Sequence, residues 1–122
     1  MKPTILMADD RETSRELLEA VLSAEGYAVV AVADGQEALD WAIHSRADLV
    51  ILDLHMPRRD GFAVLRELRA RAEWALVPVL AITASAMAMD RRQALDAGFT
   101  EFMAKPINLM EFRHIVRRLL EK

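Results

Sequence analysis

Five short apolar runs, Thr4 to Ala8, Tyr27 to Val32, Leu49 to Leu52, Val77 to Ile82 and Phe99 to Ala104, alternate along this chain with longer amphipathic segments. That alternation predicts five strands each followed by a helix, which implies a mainly parallel sheet covered on both faces. The Leu49 and Val77 runs are almost continuously hydrophobic, as strands buried on both faces should be. The segment after Glu12 sets Leu17, Leu18, Val21 and Leu22 on one helical face, and the last segment does the same with Leu109, Phe112, Val116, Leu119 and Leu120. Helix starts are marked by Asp34 with Glu37 and by Asn108 with Glu111, the spacing of a capping side chain and an acidic third residue, while Gly98 sits where a helix would stop. The expected fold class is a doubly wound α/β domain with a five-stranded parallel sheet and five helices, (βα)5.

A chain of 122 residues fits one ordinary domain and leaves no room for a second, so residues 1–122 are read as a single unit. Against 16 basic residues stand 19 acidic ones, a formal charge of -3 without a basic block or tail, which argues against nucleic acid or a membrane surface as a direct partner. No apolar run approaches the roughly 20 residues needed to span a bilayer, and the start of the chain leads straight into a strand pattern. A cytoplasmic location is expected. The absence of cysteine excludes disulfides, thiolate metal sites and cysteine nucleophiles. Chemistry is left to carboxylates, hydroxyls, amines and imidazoles.

In doubly wound folds the site lies beyond the carboxyl ends of the strands. Asp9 and Asp10 follow the first run, and Asp53 ends the sequence Asp48-Leu49-Val50-Ile51-Leu52-Asp53. Three carboxylates on one edge repel one another unless a cation offsets them. Mg2+ suits the need, because it takes oxygen ligands in an octahedron at about 2.0 to 2.1 Å and keeps waters that an incoming phosphate can replace. Thr83 follows the fourth run and Lys105 the fifth, adding a hydroxyl and an ammonium. Of the 16 basic residues only three are lysine, and Lys2 and Lys122 lie near the termini, so Lys105 is the one internal lysine in a chain that otherwise uses arginine. A compact ammonium can pair with a carboxylate at rest and with a phosphoryl oxygen later.

Asp9-Asp10, Asp53 with Met56-Pro57 and Asp60-Gly61, Thr83-Ala84, and Lys105-Pro106 together resemble the response regulator receiver domains of two-component signalling, in particular the single-domain, chemotaxis-regulator-like ones. Each element alone is weak; all of them in order at four of the five strand ends are specific. The resemblance spans nearly the whole chain and implies a flavodoxin-like strand order, 2-1-3-4-5. It implies that Asp53 is the phosphoacceptor, taking a phosphoryl group from a histidine kinase or histidine phosphotransfer protein with Mg2+, or with Mn2+ as a substitute. Asp10 and Asp53 would bind the metal directly, Asp9 through water, and His55 through its backbone carbonyl. Lys105 would pair with the phosphoryl group. Thr83 would be drawn to it, and Phe102 would follow by turning inward. The Lys105-Pro106 peptide bond would be cis and aim the lysine into the site. His55 and Ser85, at the site mouth, would tune the lifetime of the phosphoryl group.

Other positions carry less. Arg58, Arg59, Arg66, Arg69 and Arg71 form either a docking surface or a solvated face, and Met87 and Met89 either fill core gaps or offer apolar contacts to a partner. His44 and His114 read as helix-surface residues. The chain stops at Lys122, just after the last predicted helix, so output is expected through protein contact by a monomer or a weak, phosphorylation-dependent dimer. It is not expected to be an enzyme beyond phosphotransfer to itself and autodephosphorylation. Two other readings stand beside this one: a receiver-like interaction module that is never phosphorylated, and a Mg2+-dependent aspartate-nucleophile phosphatase of the haloacid dehalogenase type. The second would place an Asp-x-Asp after the first strand, where this chain has Asp9-Asp10.

Overall fold

The computed structural model describes residues 2–84 and 88–121, with side chains of the second segment from residue 91 onward. The elements run β1 (Thr4–Ala8), α1 (Glu12–Ala24), β2 (Ala28–Val32), α2 (Gly35–His44), β3 (Leu49–Asp53), α3 (Gly61–Arg69), β4 (Val79–Thr83), α4 (Ala88–Ala97), β5 (Glu101–Ala104) and α5 (Leu109–Leu120). The strands form one parallel sheet in the order β2-β1-β3-β4-β5. This is the (βα)5 arrangement and strand order expected from the sequence. Tyr27, Val77 and Phe99 fall outside the strands that their apolar runs suggested, because apolar side chains also line the approaches to a strand. Phe99 is buried in such an approach and meets Phe62 edge-on at 5.6 Å between ring centroids.

Side chains of a strand point alternately to the two faces of a sheet. Ile5 and Met7, Leu49 and Ile51, Leu80 and Ile82, and Met103 all pack with Leu18, Leu22, Phe112 and Val116 of α1 and α5. Their neighbours Leu6, Ala8, Val50, Leu52, Val79, Ala81 and Phe102 pack with α2, α3 and α4 through Leu39, Leu65, Leu68 and Ala94. The alternation decides where the polar residues at the strand ends project. Asp9, Asp53 and Lys105 share the parity of the α1/α5 face, whereas Thr83 shares that of Phe102. Within α1, Leu18 and Leu22 form the buried seam, but Leu17 is 51% exposed, a correction to the broader apolar face read from sequence.

The helix signals operate as read. Asp34 accepts from the Glu37 amide at 2.9 Å and Asn108 from that of Glu111 at 3.0 Å, while Gly98 closes α4 at φ 112°. Asp60 adds a third cap, accepting from the Ala63 amide at 2.8 Å. Gly61, next in line, lies against β3: its amide donates to the Leu54 carbonyl, and a Cβ built on it would come within 2.6 Å of the Asp53 carbonyl oxygen. Gly61→Ala should therefore lower stability by about 1 to 3 kcal/mol, the usual cost of overpacking. Urea denaturation with an unchanged midpoint would show that the loop yields instead.

Candidate functional site

At the carboxyl edge of the sheet, Asp9, Asp10 and Asp53 each bring a carboxylate oxygen within 4.8 Å of the others. Asp9 is fully buried, Asp53 is 4% exposed, and Asp10 faces solvent. Lys105 reaches them from the end of β5, its Nζ 3.0 Å from Asp9 Oδ2 and 3.0 Å from Asp53 Oδ2. The shared pleat parity explains the convergence, since residues one step past β1 and β5 and the last residue of β3 rise on the same side. The Lys105-Pro106 bond is cis, as the resemblance implied.

Each buried charge is held by several partners. Asp9 accepts from the Arg11 amide at 3.0 Å and from Ser14 Oγ at 2.7 Å besides Lys105, and its carbonyl accepts from Arg15 Nη1 at 2.8 Å. Asp53 Oδ1 accepts from the His55 amide at 2.9 Å. Burial pushes the Asp53 carboxyl above the usual carboxylate range, and the His55 amide and Lys105 only partly oppose it. Burial alone would lower the Lys105 ammonium, but the hydrogen bonds and charges of Asp9 and Asp53 outweigh it and hold the group above its ordinary value. At neutral pH the lysine is therefore charged.

Thr83, fully buried at the end of β4, pairs in register with Ala104, and its carbonyl accepts from the Lys105 amide at 2.7 Å. Phe102, on the same face two residues back along β5 and paired with Ala81, is 7% exposed and packed in the core, so its ring already lies inside in this conformation. His55 faces solvent at the mouth of the site, and its side chain is a separate matter from the backbone carbonyl expected to hold metal. Ser85, Met87 and the Met89 side chain lie outside the described residues. His44 and His114 are exposed on helices, as expected.

A hard divalent cation fits this donor set: three carboxylates sit together, one of them open to solvent, in a cluster whose negative charge Lys105 leaves partly unbalanced. Ser14 and Arg15 were not singled out from the sequence, and neither was the partnership of Asp34 with Arg58. Their spacing is ordinary for helix-start residues, and only the fold brings them to their partners. Arg69 is no part of a solvated face, since its Nη1 donates to the carbonyls of Trp74, Ala75 and Val77 and ties the end of α3 to the approach to β4.

Comparison with known proteins agrees with this geometry. The family model for the response regulator receiver domain matches residues 5–117. The chain is 40% identical over 122 residues to the response regulator MprA of Mycobacterium sp. strain KMS, covering all of this chain and 52% of that protein, so it spans about half the length of the curated relatives it matches. Among solved structures, the receiver domain of the sensor histidine kinase PA1611 from Pseudomonas aeruginosa, which holds a magnesium ion in its active-site cleft, superposes with a TM-score of 0.90 at 35% identity over 98% of each chain. The chemotaxis response regulator CheY4 of Vibrio cholerae gives 0.91 at 28% identity over 98% of this chain and 99% of its own. No helix among the described residues is long and apolar enough to cross a membrane. With the doubly wound sheet, the acid cluster and the family match in agreement, this chain belongs to the response regulator receiver domains of two-component signalling.

Proposed function

We propose that residues 1–122 form one receiver domain that takes a phosphoryl group onto Asp53 from a phosphohistidine on a histidine kinase or histidine phosphotransfer protein. The observation that carries this reading is the meeting of three carboxylates within 4.8 Å with an ammonium 3.0 Å from two of them. Asp10, Asp53 and the His55 carbonyl are the residues to hold Mg2+, with Asp9 acting through water; Mn2+ also meets the oxygen preference of this set. When bound, the ion offsets charge on the transferring phosphoryl oxygens.

In the step itself an Asp53 carboxylate oxygen forms a bond to phosphorus while the phosphorus–nitrogen bond breaks, and the departing imidazole keeps the electron pair. The protein's own contribution is positioning and charge. The His55 amide fixes one Asp53 oxygen, and Lys105, released from the other, follows the negative charge to the phosphoryl group. The Thr83 hydroxyl donates to a phosphoryl oxygen, drawing the end of β4 toward Asp53, and Phe102 repacks on the same face of the sheet. His55 and Ser85 set the lifetime by controlling the attack of water. The switch transmits only because the phosphoryl group favours one arrangement over the other. Its output is contact with a partner protein, as a monomer or a weak dimer formed on phosphorylation. Receiver domains are signalling domains rather than classical enzymes.

Intact mass after incubation with acetyl phosphate or beryllofluoride tests the proposal. A gain that requires Mg2+ is expected. No gain under any condition would favour an unphosphorylated interaction module, and turnover of phosphate esters would favour the phosphatase reading.

A further inference from the structure

We infer that Arg58 and Asp34 form a positioning clasp whose two-pronged ion pair seats the β3–α3 loop so that the His55 amide stays on the Asp53 carboxylate. Only the consequence for metal rests on the phosphoacceptor reading. Among the described residues Arg58 is the one non-glycine residue with positive φ, at 65°, a region that L residues enter at an energetic cost. Its guanidinium spans the Asp34 carboxylate, Nε to Oδ2 at 3.0 Å and Nη2 to Oδ1 at 3.0 Å. Asp34 is itself fixed as the cap of α2, the same Oδ1 accepting from the Glu37 amide, and is 9% exposed. The Arg58 guanidinium holds the Asp34 carboxyl below the usual range, so the pair is charged at neutral pH.

The seat is shaped as well as charged. Gly35 follows Asp34, and a Cβ on it would run into the Arg59 carbonyl oxygen, Arg59 Cβ and Val64 Cγ2, so the loop backbone lies directly on the first turn of α2. At its far end the loop is anchored by the Gly61 amide on the Leu54 carbonyl. Between these two anchors lies His55, whose amide donates to Asp53 Oδ1 at 2.9 Å. Leu54, just before His55, is tied to β4 through its amide on the Ile82 carbonyl, so movement of the loop away from α2 turns the His55 amide about that fixed point and off Asp53 Oδ1. The same movement displaces the carbonyl proposed to hold the metal.

A bland account is that the ion pair only compensates the backbone at residue 58. Arg58→Gly separates the two accounts, because glycine accepts the left-handed conformation while the guanidinium is gone. Asp34→Asn removes the charge but keeps a capping side chain of equal quality. Arg58→Lys keeps the charge and loses the fork. The experiment is amide hydrogen exchange on the metal-free protein by NMR, with Mg2+ affinity measured on the same samples. In Arg58→Gly and Asp34→Asn, exchange at His55 is expected to accelerate on the order of tenfold while β1 and α2 amides keep wild-type protection, and Mg2+ binding is expected to weaken by about tenfold, with Arg58→Lys between. Wild-type exchange at His55 in both variants would overturn the clasp, as would a uniform acceleration across the whole chain. Should the wild type bind no Mg2+, the metal reading of the site fails, and exchange at His55 still decides the clasp.

Discussion

Asp53→Asn is expected to abolish the phosphate gain completely under conditions that fully modify the wild type, and at the same time to make the protein more stable at neutral pH. Both effects come from one carboxylate. Asparagine keeps the shape and the acceptor for the His55 amide but has no nucleophilic oxygen for phosphorus, so the loss is of the reaction itself. The gain in stability follows from burial, which holds the Asp53 carboxyl above the ordinary carboxylate range despite Lys105. Below about pH 4, the ordinary range, the carboxyl is neutral in the folded and unfolded chains alike, and it costs nothing extra. As pH rises from there to the raised folded value, the unfolded chain ionises more readily than the folded one, and wild-type stability falls relative to the variant until the loss is complete above it. Asp53→Asn should thus gain about 1 kcal/mol at pH 7, a few degrees in Tm, with the advantage fading toward pH 4. Lys105 keeps its bond to Asp9 in the variant, which prevents an opposing loss. Thermal melts across that pH range check the prediction; a variant less stable at pH 7 than the wild type would mean that the Asp53–Lys105 attraction exceeds the cost of burial.

The elements were legible because their signals are local. A capping side chain three residues before its partner amide, as at Asp34 and Asn108, is written in consecutive letters. The site was legible for a related reason: Asp9, Asp53, Thr83 and Lys105 each stand at the end of a run whose fate as a strand was already evident, and a parallel sheet collects its strand ends on one edge. What the sequence could not convey is facing. A run such as Leu49 to Leu52 is hydrophobic at every position because helices cover both sides, so it carries no period from which to learn that Asp53 shares a face with Asp9 and Lys105. Long-range partners were hidden in the same way. Asp34 and Arg58 are 24 residues apart, and nothing near either marks the positive φ that turns the guanidinium back toward α2. Leu17 misled because an apolar letter beside a buried seam looks the same as one within it.

Lys105 is at once the site's counter-ion and part of its fold, and Lys105→Met is expected to expose the second role. The substitution keeps an unbranched stem of similar length but removes the only ammonium that faces Asp9 and Asp53 among the described residues. Removing one partner of a buried ion pair leaves an uncompensated charge, a loss of about 3 to 5 kcal/mol in general. Here the molecule has an escape, because Asp53 already lies above the usual carboxylate range and, without the lysine, rises further, so it takes up a proton more readily as pH falls. Each pH unit by which that carboxyl is raised costs about 1.4 kcal/mol at pH values above it, so the destabilisation grows with pH and shrinks as pH is lowered. A chemical-denaturation series in EDTA should therefore show Lys105→Met losing about 3 kcal/mol at pH 8 and much less at pH 5. Magnesium gives the matching test. With no ammonium competing for the same oxygens, the variant should bind Mg2+ more tightly than the wild type, and Mg2+ at about 100 times its dissociation constant returns about 2.7 kcal/mol, enough to restore most of what was lost. A pH-independent loss that Mg2+ does not repair would assign the effect to packing around the methionine, and Lys105 would then contribute to the fold mainly through its stem.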